Sequence, residues 1–219
     1  MKSIDTIRLR MMLGWLGLLL PWIVLALCVI FDCVPGPHIF PHSISATYHY
    51  APTITPFMII LGSSGLLLMC YRGYTKVDDI INTITGFFGL CICLFPTWGS
   101  DLVYNGTFQV PNDISSAIHN ISAIGFFGLL SFNCLFLFTK SSGTKTKKKK
   151  IRNAIYIICG IGMIVSMTML LVFSGVWAGI WAAEAAALMF FGIAFLTKAD
   201  IYPWLFCDSA KKDEDTDNA

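Results

Sequence analysis

Apolar positions along this chain neither alternate with polar ones at the period of a strand nor recur as a single stripe. They run almost unbroken for about 20 residues at a time, with short polar connections between the runs. At 1.5 Å rise per residue a helix of about 20 residues spans the hydrocarbon core of a bilayer. Six such runs lie at residues 11–31, 51–71, 80–98, 116–138, 151–173 and 175–197. The ten-residue alternating segments of a membrane β-barrel are absent. The first run follows Lys2, Arg8 and Arg10, as a signal peptide would, but it exceeds the usual h-region. Phe31-Asp32-Cys33-Val34-Pro35 offers no small-x-small cleavage site, so a retained helix is expected.

Composition sharpens this picture. Hydrophobic residues make up 56% of the 219 and charged ones 13%, with a mean hydropathy of +0.70. Soluble domains carry about 25% charged residues, so the balance does not fit a surface facing water on all sides. The predicted fold is an all-α integral membrane bundle of six transmembrane helices, with residues 1–207 as one domain. Residues 208–219, with Asp213, Glu214, Asp215 and Asp217, form a polar tail expected to be disordered.

Charge placement sets the orientation. Lys and Arg stay on the cytoplasmic side of short connections. All 15 fall at the N-terminus, the second and fourth connections and the tail, and the other three connections carry none. Both termini are therefore expected in the cytoplasm, in a bacterial inner membrane or a cell membrane. The lysine-rich stretch 141–150 reads as an orientation signal and solvated linker, and the net charge of +2 points to no nucleic-acid partner. Tyr71, Arg72 and Tyr74, with Asp78 and Asp79 at the next helix start, read as an interfacial belt and favourable helix-dipole contacts.

Small residues predict close helix contacts. Gly175, Gly179, Ala183 and Ala187 recur every four positions in the last span, with Ala178, Ala182 and Ala186 beside them, so that helix is expected inside the bundle. Gly86 and Gly89, and Gly125 and Gly128, extend the same reading to the third and fourth spans. Of eight cysteines, Cys28, Cys91, Cys93, Cys134 and Cys159 lie in spans and read as packing residues, while Cys207 is placed for palmitoylation in a eukaryotic host. Two sequons, at Asn105 and Asn120, fall on the outer half.

Glu184 is the sole acidic residue within a span core, expected ~14 Å below the outer end if the helix begins at Gly175. Such carboxylates usually face the bundle interior and mark a site. The histidines, His38, His42, His49 and His119, all lie toward the outer side, and the first connection is dense in hydroxyls from Ser43 to Thr47. Ser45, His49, His119 and Glu184 are therefore expected to line one outward-opening polar cavity, with Asp32 or Asp101 at its rim. Two imidazoles and a carboxylate can hold zinc with a position open for water. His49, His119 and Glu184 are thus candidate metal ligands, Ser45 and Glu184 candidate catalytic groups, and zinc the candidate cofactor. Pro96 is expected to open a kink at the end of the third span.

Several stretches together carry a resemblance. They are Ser43-Ile44-Ser45-Ala46-Thr47-Tyr48-His49, Tyr71-Arg72-Gly73-Tyr74 with Asp79, Leu94-Phe95-Pro96-Thr97, His119 with Ser122-Ala123, Arg152-Asn153 with Tyr156 and Gly160, and Glu184 with Phe191-Gly192 and Leu196-Thr197-Lys198. On these the chain resembles an uncharacterised family of small, mainly bacterial six-span membrane proteins, which implies no particular activity. It is similar in part to the alkaline ceramidase and progestin-receptor-like membrane hydrolases. The shared feature is the Ser-x-x-x-His spacing of Ser45 and His49, followed by Asp78 or Asp79. That resemblance implies a zinc site, but the chain has no His-x-x-x-His and six spans instead of seven, and Asp79 is expected on the opposite face from His49.

The function expected first is binding of a small molecule or lipid head group in the polar cavity, with the bilayer as the other partner. A membrane-embedded metal-dependent hydrolase of a lipid or amide, and a non-enzymatic scaffold, are the alternatives.

Overall fold

The computed structural model describes residues 4–73, 75–100, 102–140, 147–172 and 175–201. Tyr74, Asp101, Cys207 and the tail 208–219 lie outside them, as do residues 141–146 of the lysine-rich stretch. Six helices dominate: α1 (Ile4–Ile30), α2 (Ala51–Cys70), α3 (Lys76–Leu94), α4 (Asn112–Phe132), α5 (Lys147–Val172) and α6 (Gly179–Lys198). All six are long and apolar enough to cross a membrane. Each packs chiefly on its neighbours in sequence, and α6 closes the ring on α1.

Three short elements interrupt the helices. A 3-10 helix, Ser45–His49, precedes α2, and a π-helical turn, Asn133–Leu137, continues α4. A minimal antiparallel hairpin of β1 (Tyr104–Asn105) and β2 (Val110–Pro111) lies between α3 and α4. None of the three was signalled by hydrophobic periodicity.

Helix ends depart from the predicted bounds for local reasons. α3 stops at Leu94 because Phe95 precedes Pro96, whose ring disfavours helical backbone at the residue before it, and Phe95 takes φ −119°, ψ 88°. Its start moves back to Lys76, where Thr75 accepts a hydrogen bond from the Asp78 amide as N-cap. α6 begins at Gly179, not Gly175, after Ala178 in a left-handed conformation at φ 61°. Lys147–Lys150 form the first turn of α5 instead of belonging to a linker.

α6 is the most enclosed helix, with 56% of its apolar window buried against 33–44% in the other five. The predicted stripe explains part of this, since Ala183 and Ala187 are buried while Gly175 and Ala182 are exposed. The tightest approach to α1 is made elsewhere: a Cβ on Gly192 would stand 2.7 Å from the Gly14 carbonyl oxygen, so glycine lets the two backbones meet. α2 and α3 meet in the same way, where a Cβ on Gly65 would lie 2.9 Å from the Gly86 carbonyl.

Candidate functional site

The first connection folds back into the mouth of the ring. Ile44 and Thr47 are buried, and the Trp181 amide donates to the His42 carbonyl at 3.1 Å, tying this segment to the first turn of α6. The 3-10 helix leaves its leading amides without partners in the chain around them. Glu184 supplies the acceptor. Oε2 takes the Ile44 amide at 2.5 Å and the Ser45 amide at 3.2 Å, and Oε1 takes the Ser45 hydroxyl at 3.0 Å. The other hydroxyls of the segment serve its own backbone. Ser43 Oγ accepts from the Ala46 amide at 2.8 Å, and Thr47 Oγ1 donates to the Ile44 carbonyl at 2.6 Å.

Because α6 starts four residues later than expected, Glu184 sits in its second turn, five residues past the helix start instead of nine. From there it borders a cavity of about 40 Å³ on the axis of the ring, lined from all six helices. Ser45 and Glu184 are its polar lining side chains; the remainder, among them Phe57, Phe126, Phe127 and Leu188, is apolar. Of the expected cavity, then, Ser45 and Glu184 do come together.

The two histidines form a different arrangement. After α3 ends, the carbonyls of Phe95, Pro96 and Thr97 have no helical donors. Each is met by a side chain: His119 Nδ1 at 3.0 Å from Phe95 O, Ser115 Oγ at 2.8 Å from Pro96 O, and His49 Nε2 at 3.0 Å from Thr97 O. A carbonyl only accepts, so His119 carries its proton on Nδ1 and His49 on Nε2. Asn105 Nδ2 also reaches Thr97 O at 2.9 Å, and joins Asn112 Oδ1 at 3.0 Å. Gly106 closes the turn at φ 73°, where a Cβ would lie 2.6 Å from Pro96 Cδ.

This knot revises several expectations. Neither histidine hydrogen-bonds to Glu184, and among the described residues no three His, Cys, Asp or Glu side chains converge to hold a metal. Both Glu184 oxygens already accept from Ile44 and Ser45, so His49, His119 and Glu184 do not make the expected zinc ligand set. Asn105 is 3% exposed with its amide nitrogen doubly engaged, which makes it a poor glycosylation acceptor. Asp32 is exposed at the end of α1 with φ 46°. His38 stacks on Trp177, with ring centroids 3.9 Å apart, beside the same connection.

Polar residues that sequence reasoning passed over gather at the other end of the ring. Arg10, Asp78, Asn82, Asn133 and Lys198 are all buried there. Asp78, expected as an ordinary helix-start acid, is 2% exposed and receives Lys140 Nζ at 2.8 Å. The signal available in advance was polarity inside an apolar run, at Asn82 and Asn133.

No family model matches the chain, and no curated protein or solved structure matches it either. The functional reading therefore rests on the geometry above.

Proposed function

We propose that the protein is a membrane-embedded binding protein for a small amphipathic molecule, with an apolar body and a hydroxyl or amino head. The observation that carries this reading is a single carboxylate, with the Ser45 hydroxyl beside it, opening on an otherwise apolar axial cavity. A carboxylate offers about four acceptor positions, of which three are used by Ile44 and Ser45. Ser45 spends its proton on Glu184, so its remaining lone pairs are also acceptors. The polar end of the cavity therefore asks for a donor, and its aromatic and aliphatic walls ask for a chain or ring. Charge segregation along the sequence supports cytoplasmic termini and a cavity near the outer face, in a bacterial inner membrane or a cell membrane.

The cavity as it stands has room for about three water molecules, so binding a molecule with a long apolar chain requires the helices to part well beyond their present packing. A diazirine-bearing long-chain alcohol tests the assignment. Photolabelling is expected in α4 around Phe126 and in α6 around Leu188, competed by 1-dodecanol. Labelling confined to the lipid-facing surface, unaffected by competitor, would refute it.

A second reading is favoured by one contact, the 3.0 Å hydrogen bond from Ser45 Oγ to Glu184 Oε1. It places a hydroxyl nucleophile beside a base. In that reading Ser45 Oγ attacks an ester or amide carbonyl while Glu184 takes its proton. Glu184 gives that proton to the alcohol or amine as its bond to the carbonyl carbon breaks, and a water deprotonated by Glu184 then hydrolyses the acyl-serine, the proton returning to Ser45. A fluorophosphonate probe that labels Ser45 would support it, and an unlabelled, folded protein would count against it.

A further inference from the structure

The cavity at the opposite end of the ring has its own chemistry. It is also about 40 Å³ and is bordered by Arg10, Tyr71, Asp78, Asn82, Asn133 and Lys198 among others. Arg10 is 5% exposed. Its Nε donates to the Tyr71 hydroxyl at 3.0 Å and its Nη1 to the Lys198 carbonyl at 3.3 Å. No carboxylate among the described residues pairs with it. Buried guanidinium groups ordinarily meet an anion, because removing the charge from water is costly.

Two asparagines on the same cavity are also unsatisfied. Among the described residues, Asn82, 1% exposed, has no hydrogen-bond partner for its Oδ1, and Asn133, fully buried, has none for Oδ1 or Nδ2. Unpaired buried amides cost about 1–3 kcal/mol each, so a protein keeps them where something else completes them. Asn133 opens the π-helical turn, which closes with the Phe138 amide on the Asn133 carbonyl at 2.8 Å. Such turns frequently occur at functional sites. Asp78 borders the same cavity, and its charge is met by Lys140 at 2.8 Å, with Thr75 Oγ1 donating to it at 2.9 Å.

A ligand that satisfies this set must accept from Arg10 and donate to the asparagine oxygens. We infer that Arg10, Asn82 and Asn133 bind a phosphate group that retains a P–OH, the chemistry shared by inorganic phosphate and by a phosphate monoester head group such as that of phosphatidic acid. The cavity suits one tetrahedral oxyanion and is too small for a nucleotide. The P–O⁻ oxygens accept from the free guanidinium N–H and from Asn133 Nδ2, and the P–OH donates to Asn82 or Asn133 Oδ1.

Sulfate is the decisive control. It matches phosphate in shape but carries no proton at neutral pH, so it leaves the asparagine oxygens unpaired. Thermal unfolding of the full chain in detergent, titrated with phosphate, sulfate and chloride, reads the difference. Phosphate is expected to raise the midpoint saturably, with affinity at least about tenfold above sulfate, the equivalent of one hydrogen bond left unmade. Arg10→Gln is expected to abolish the response. Should that variant fail to fold, Asn133→Leu, which removes an unpaired amide and is expected to fold, must weaken phosphate binding by at least about tenfold. Repeating the titration in nanodiscs with and without phosphatidic acid separates the sources, since a lipid occupant removes the response to free phosphate. A response equal for all three anions, no response in either detergent or plain phosphatidylcholine nanodiscs, or an Asn133→Leu variant that binds phosphate like the wild type, would overturn the assignment.

Discussion

The two ends of the helix ring treat buried polarity in opposite ways. At one end the chain itself fills three of the roughly four acceptor positions of Glu184, and His49 and His119 are spent on the carbonyls around Pro96. At the other, among the described residues, no carboxylate pairs with Arg10, and Asn82 and Asn133 have amide atoms without hydrogen-bond partners. The residue types that most invite a catalytic reading, the histidines, are the ones serving structure. Capacity left unfilled tells more about ligand binding than residue type does.

Substitutions at the two ends should therefore differ in size and in sign. Glu184→Ala strands two partly buried amides and a hydroxyl, and is expected to cost about 3 kcal/mol, read as a lowered unfolding midpoint in detergent. An unchanged midpoint would mean that the contact with Ile44 and Ser45 contributes nothing. Gly106→Ala comes next, because alanine at φ 73° against Pro96 costs about 1–3 kcal/mol in backbone strain. His119→Leu deprives the Phe95 carbonyl of its donor and should cost about 1–3 kcal/mol, without changing metal content measured by elemental analysis. Loss of one bound zinc per chain in that variant would restore the metal-site reading. Asn133→Leu is the smallest in magnitude and opposite in sign: with no partner lost, stability in phosphate-free detergent should stay level or rise by about 1 kcal/mol. A fall comparable to that of His119→Leu would erase the contrast between the ends.

The six helices were legible because each apolar run is as long as the bilayer is thick, and nothing but a helix satisfies its backbone there. The Ser45 and Glu184 pairing was legible too, since a carboxylate in an apolar run must find donors and the hydroxyl-rich first connection was the nearest source. The histidine roles were not. They depend on three carbonyls freed where Pro96 ends α3, and the identity of their partners is a matter of tertiary placement. The start of α6 is not legible because Gly175 and Ala178 continue the small-residue rhythm while the backbone there turns. Arg10 and Lys198 read as orientation signals, which concealed that both point into the ring. Asn82 and Asn133 drew no notice because a single amide in a span is common. Their significance comes from sharing a cavity with an arginine that no carboxylate among the described residues pairs with.

The donor-seeking character of the axial cavity is the property on which ligand selection depends. The most direct measurement is a binding titration of the detergent-purified protein with 1-dodecanol, dodecylamine and laurate, on the wild type and on Glu184→Gln. The alcohol and the amine should bind the wild type at least about tenfold more tightly than laurate, a preference worth one hydrogen bond to a charged group, and Glu184→Gln should lose it. Laurate binding the wild type as tightly as the alcohol would contradict the assignment of Glu184 as the group that selects the ligand.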